Sequence, residues 1–351
     1  MGWKHLSRTR FSGLLFVLTL CTAAIPSCAA PLEKPEVNIA IGGTQAQLYF
    51  LPVLLADRLG YFSQEGLNVH MIDTGAGAKG LQALVGGSVD VTAGSFEHPL
   101  QLQARGQDIV AFVKYGRFHG NVLGILPRHV NNYKSPADMK GWSIGISAPG
   151  SSSYIFATLL MAKNGLKPDD VSFIAVGQGT RGVAAVRNGK QIDAVSLTDP
   201  TISELESTND IAIVADSRTL KGTVEAYGGE TISGVLYSKR EFQKNNPNTV
   251  QAMTNAIVRT LYWVKSASIE DIVAKVPEAY TGGKPDLYRM MLQKNIENYQ
   301  TDGTFAEGPA KTTVNFLKES AEDLRNATLD ATKAYDNSFP KRANEIIAAE
   351  K

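Results

Sequence analysis

Residues 69–84 and 171–186 are one passage written twice, at a constant offset of 102 residues. The first reads V-H-M-I-D-T-G-A-G-A-K-G-L-Q-A-L and the second V-S-F-I-A-V-G-Q-G-T-R-G-V-A-A-V. Six of the sixteen positions are identical, among them Gly75/Gly177, Gly77/Gly179 and Gly80/Gly182. Solenoid repeats are short and stack on one another. Two copies one small domain apart point instead to two similar lobes, which enclose a cleft, the usual seat of a small ligand.

The pattern around each copy supports this. Residues 37–41, 69–72 and 89–93 read as strands, with one helix stopping at Gly60 and another running from the Gly75 loop to about residue 85. Residues 142–146, 171–176 and 192–197 repeat that order, with a helix over 151–164 and Gly165 at its C-cap. Strands alternating with helices predict an α/β fold, two parallel or mixed sheets with helices on both faces. Residues 121–127 and 233–238 read as the two strands of a hinge. Beyond Pro247 the chain is helical, with Val250, Met253, Ile257, Leu261 and Val264 on one apolar face. The expected division is a leader over 1–29, lobe 1 over 30–126, lobe 2 over 127–232, and the rest of lobe 1 with C-terminal helices over 233–351.

The leader follows from a basic start without acids, an apolar run over 11–25, and the small residues Ser27, Cys28, Ala29 and Ala30. That is the pattern of an export signal. Cleavage after Ala29 gives a soluble product; a lipobox reading, with Cys28 lipidated, is the alternative. Cys21 and Cys28 are the only cysteines, so the mature chain is expected to lack disulfides and to rest on its core. Removing Lys4, Arg8 and Arg10 leaves 32 basic side chains against 34 acidic. No basic patch stands out, which argues against nucleic acid.

Both glycine passages fit G-x-G-x-x-G after a strand, the outline of a dinucleotide fingerprint. The motif stands at equivalent places in both lobes, after a strand that is not the first of its lobe, in an exported chain. A tight strand-to-helix turn facing the cleft explains it better. Ser151, Ser152 and Ser153 open a helix after Pro149-Gly150; free N–H groups, the dipole and the hydroxyls suit an anion there, although one serine could serve only as an N-cap. Glu97 and Asp199 follow strands and could line the cleft or cap the next helices. Glu97-His98 could also be read as an acid/base pair, but sequence neighbours seldom aim at one atom, and no nucleophile motif accompanies them. The histidines His70, His98, His119 and His129 lack metal-ligand spacing; neither a metal nor a cofactor is expected.

The stretch Ala56-Asp57-Arg58-Leu59-Gly60-Tyr61-Phe62-Ser63-Gln64-Glu65-Gly66-Leu67 resembles the signature of the SsuA/THI5-like, or NMT1-like, family of ABC-transporter solute-binding proteins. Leu84-Val85-Gly86-Gly87-Ser88-Val89-Asp90-Val91 and Ser135-Pro136-Ala137-Asp138-Met139-Lys140-Gly141-Trp142 resemble its next motifs. The resemblance runs from about residue 37 to 265. It implies a two-lobed periplasmic-binding-protein fold that closes on a small polar solute and delivers it to an ABC permease in the inner membrane. The protein is then a periplasmic receptor, expected to be a monomer, and not an enzyme. By position it suggests Thr44, Gln45, Gln47 and Tyr49 from the first-strand loop and Ser95 and Glu97 from the third-strand exit. The second lobe would supply Ser151, Ser152, Ser153 and Asp199. Glu97 and Asp199 would repel an anion unless offset by Lys79, Lys114 or Arg117, so the solute is either sulfonate- or taurine-like or carries an amine or pyrimidine. The alternative within the family is a THI5-like enzyme that builds a pyrimidine from pyridoxal phosphate. Such members use a lysine, a histidine and clustered cysteines in the cleft.

Overall fold

The computed structural model describes residues 1–3, 31–42, 48–189 and 191–350. The expected leader cleavage and Cys28 lie outside the described residues, as do Thr44, Gln45 and Gln47. Met1–Pro31 is a unit of its own, and the fold is that of Leu32–Lys351.

Ten strands make two five-stranded sheets. The first holds β1 (Glu36–Ile41), β2 (Asn68–Asp73), β3 (Val91–Ser95), β4 (Ile109–Lys114) and β10 (Gly234–Lys239), in the order β2-β1-β3-β10-β4. The second holds β5 (Val122–Ile125), β6 (Ser143–Ile146), β7 (Ser172–Ala175), β8 (Ala194–Leu197) and β9 (Ala212–Asp216), in the order β7-β6-β8-β5-β9. In each sheet the first three strands run parallel and the fourth is antiparallel to both neighbours. The two sheets share one plan, and the repeated passage occupies the same place in each. β2 and β7 are the edge strands, and the glycine turns lead into the helices Gly77–Val85 and Thr180–Asn188. Gly75 and Gly177 hold φ of 76° and 75°, a left-handed conformation that glycine adopts without steric cost. Gly80 lets its helix settle on the sheet, where a Cβ would meet Thr92 at 3.2 Å, and Gly182 lets its helix settle against the start of helix Thr201–Ser207, where a Cβ would meet Thr201 at 3.0 Å. The tight-turn reading of the motif describes both copies.

Two expectations are corrected. β3 starts at Val91, two residues late; before it, Asp90 N still donates to Asn38 O, and the Asp90 carboxylate accepts from Asn38 N and Lys34 Nζ. β5 pairs in the second sheet, so the division at 126 falls too late. The chain crosses over 115–121, and returns over 228–233. The two crossings bond to each other: Ser233 Oγ donates to Phe118 O at 2.7 Å and Ser233 N to Gly116 O at 3.2 Å. The C-terminal helices, which the sequence did not assign to a lobe, divide between the two. Helix Pro247–Ser266 buries its predicted face, Val250 to Val264, in the first core. Helix Glu307–Ser320 packs instead on helices Ser152–Lys163 and Leu220–Tyr227 of the second lobe. The chain then returns, with Ala111 N donating to Ala334 O, and helix Ser338–Ala349 covers Pro247–Ser266. Consequently one apolar cluster joins the lobes behind the cleft: Phe96 and Leu100 meet Ile155 and Leu159 through Phe305, Phe316 and Leu317. Among the described residues no helix is long and apolar enough to cross a membrane.

Candidate functional site

The carboxyl ends of the inner parallel strands face each other across the lobes. Gly42 follows β1, Ser95 ends β3, Ser147 follows β6 and Thr198 follows β8, and all four line one cavity. Ligands of open α/β sheets sit at such strand ends. Gly77 and Gln178, from the two copies of the repeated passage, line it too, with Tyr49, Phe50, Gly94, His98, Ser151 and Ser152. The lobes touch here: Ala78 N donates to Ser151 Oγ at 3.2 Å. The cavity holds only about 30 Å³, room for one or two water-sized groups. Its narrowness comes from close backbone packing, since a Cβ on Gly42 would stand 2.4 Å from Gly77 Cα.

The expected site residues separate into two groups. Tyr49, Ser95, Ser151 and Ser152 line the cavity. The buried Tyr49 hydroxyl has no partner, and burial raises its pKa, with the Glu97 charge adding to the shift. Ser153 is turned away: its Oγ accepts from Ser147 N at 3.0 Å and meets Ser147 Oγ at 2.7 Å, closing the loop before the helix. Glu97 lies behind the lining. One carboxylate oxygen accepts from Ser95 Oγ and stands 2.9 Å from His119 Nε2, while the other has no partner. Burial opposes its charge, but His119 and the Ser95 hydrogen bond prevail and hold its carboxyl below the ordinary range. Asp199 is the clearest correction. It accepts from Ser203 N at 2.9 Å and from Asn295 Nδ2 at 2.9 Å, and lies 3.5 Å from the buried Arg218 guanidinium. Both of its carboxylate oxygens are engaged by groups of the fold.

The cations expected to offset these acids are not needed for that purpose. Arg117 pairs with Glu230 and Glu297. Asp199 is met by Arg218, which also holds Asp216 at 2.6 Å. The lining side chains carry no charge, although the Glu97 carboxylate stands behind Ser95, and helices Gly77–Val85 and Ser152–Lys163 begin at the cavity from opposite lobes. Their N-terminal N–H groups favour an acceptor or an anion.

His98 is the lining residue whose role the sequence reading missed. It is 1% exposed; Nδ1 lies 2.9 Å from Tyr237 OH, and Nε2 has no partner. Burial lowers its pKa to about 4, against the opposing pull of Glu97, so the ring is neutral near pH 7. Nothing in the sequence separates it from Glu97 as the inward-facing neighbour. Gln178, Ser147 and Thr198 were legible in principle, as counterparts of the first-lobe strand ends. Among the described residues no cluster of histidine, cysteine or acidic side chains is arranged to hold a metal.

The family model described as NMT1/THI5 like matches residues 47–267. A solved structure from Bordetella bronchiseptica RB50 is 44% identical with a TM-score of 0.86, covering 91% of this chain and 100% of that one. The alkanesulfonate-binding protein SsuA from Xanthomonas axonopodis pv. citri, bound to MOPS, shares the fold at 18% identity and a TM-score of 0.65, covering 86% of this chain and 98% of that one. A 4-amino-5-hydroxymethyl-2-methylpyrimidine phosphate synthase of Schizosaccharomyces pombe is 30% identical over 152 residues, 42% of this chain and 40% of that protein.

Proposed function

Since the chain belongs to the NMT1/THI5-like family, we propose that it is the periplasmic solute receptor of an ABC importer. As a monomer it encloses one small organic solute between its lobes and hands it unchanged to the permease. The observation that carries this reading is the convergence of four strand ends and two helix starts, in near-symmetric pairs, on one interlobe cavity. The solute enters head first, with an anionic or electron-rich group against the helix starts and Ser152. The neutral lining and the neutralised Asp199 support an anion such as a sulfonate over an amine or a pyrimidine.

The enzyme alternative has the S. pombe relative in its favour. Against it, a Schiff base needs a lysine in the cleft. The inner lining has none, nor does the sequence of 43–47; Lys284, on the wider part of the cleft, is paired with Glu204 at 3.1 Å, and Cys21 and Cys28 both precede the lobes. Native mass spectrometry of protein isolated without refolding tests the reading. The expected result is one noncovalent low-mass solute per chain, released unchanged on unfolding. A covalent adduct, a pyridoxal absorbance band or turnover of the solute would replace the receptor by an enzyme.

A further inference from the structure

The inner cavity is too small for a whole organic solute, but it is not the only space in the cleft. A second cavity of about 430 Å³ opens beside it, towards the mouth. The two share a boundary along the chain. Gln178 and Thr198 line the inner one, Gly179, Pro200 and Thr201 the outer one, and Ile41, just before Gly42, pairs with Asp73 of the outer wall. Thr201 Oγ1 stands on that boundary, accepting from Gly179 N at 2.7 Å and donating to Gln178 Oε1 at 3.3 Å.

The outer wall differs in chemistry from the inner one. Its C-terminal side presents Tyr280, Leu287 and Met291, an aromatic face, a branched alkyl and a flexible thioether that adapt to varied apolar shapes. Glu204 is already paired, 3.1 Å from Lys284 and 3.5 Å from Arg187, while Asp73, which accepts from Gly75 N at 2.7 Å, keeps a negative charge that disfavours a second anionic group on the solute. The wall therefore calls for no second negative charge on the solute.

We propose that the cleft is divided into a head compartment and a body compartment, with segment 279–291 forming the specificity wall of the second. The solute class is a molecule with one compact polar head and an uncharged, largely apolar body. This rests on the receptor reading above and assigns a role to the C-terminal segment that the family motifs do not cover.

The test is calorimetry with straight-chain primary anions from ethyl to octyl, each carrying a carboxylate, sulfonate or phosphonate head. Affinity should rise with length within one head series, by about fourfold per methylene that enters the outer cavity, the scale set by burying a CH₂. Thr180→Trp and Thr281→Trp fill that cavity from opposite walls, Thr180 from an exposed position. Either should flatten the dependence on length. Binding that is independent of chain length, or a slope that both variants leave intact, overturns the body compartment while the receptor reading stands. Failure of every head at every length counts against the head-first reading and this inference together.

Discussion

His98 shows what a single buried side chain does to the pH response of the molecule. Its pKa is pushed from 6.5 to about 4 in the fold. Between those values the unfolded chain binds a proton that the folded chain does not, so stability rises with pH across the window and is lost as pH falls through it. A gap of that size is worth about 3 kcal/mol. Glu97 acts in the same sense at lower pH, because its depressed carboxyl adds stability that disappears as it is protonated. Urea denaturation from pH 7 to pH 4.5 should show stability falling with acid, and His98→Asn should flatten the decline. Flat stability in the parent protein would mean that the ring is solvated. Since His98 is neutral through this range, solute affinity should show no step near pH 6.5.

At the scale of elements, Asp199 decides how the second lobe is tied together. Its carboxylate reaches an early N–H of helix Thr201–Ser207, the Arg218 side chain and Asn295 of helix Pro285–Asn295. Asp199→Asn keeps the shape but removes a charge from beside a buried guanidinium. Stability should drop by about 1–3 kcal/mol, the range for a buried polar group that loses its partner, with Asp216 limiting the loss. Solute affinity of the folded protein should hardly change. A large affinity change with unchanged stability, read by calorimetry beside denaturation, would return Asp199 to the ligand. The sequence reading placed Asp199 at a strand end, which was right, but Asn295 is 96 positions away and no local pattern announces it. The same limit explains Ser153: three serines after Pro-Gly look alike until the loop returns Ser147 to the third. Periodicity and the repeat were enough for the parallel strands β1, β2, β3, β6, β7 and β8, both glycine turns and the helix Ser152–Lys163, but did not name β4 and β9. They were not enough for β5 and helix Glu307–Ser320, whose lobe is chosen by long-range pairing.

At the scale of the whole of Leu32–Lys351, the question is what keeps the lobes together without a solute. The strands first read as the hinge, β5 and β10, are each bonded on both sides within a sheet, so rotation falls to the crossings at 115–121 and 228–233. Hinges of this kind place the angular change in a few residues at element ends. Three further contacts resist opening. Helix Pro285–Asn295 has Tyr288, Met291 and Leu292 in the first core but reaches the second lobe through the buried Asn295–Asp199 hydrogen bond at 2.9 Å, through Lys294–Glu206 at 3.3 Å and, from the residue before it, Lys284–Glu204 at 3.1 Å. Exposed pairs of this kind contribute up to about 1 kcal/mol each, enough to bias an equilibrium between open and closed forms but not to lock it. The double variant Lys284→Ala/Lys294→Ala should therefore scatter X-rays as a larger particle than the parent when both are free of solute. Saturating solute should bring the two curves together, because closure then rests on the head contacts. Affinity should fall a few-fold, since binding must now supply the closing energy that the pairs provided. Identical solute-free curves would show that the apolar cluster behind the cleft, from Phe96 to Phe316, and the Asn295–Asp199 bond hold the lobes closed without help from the ion pairs.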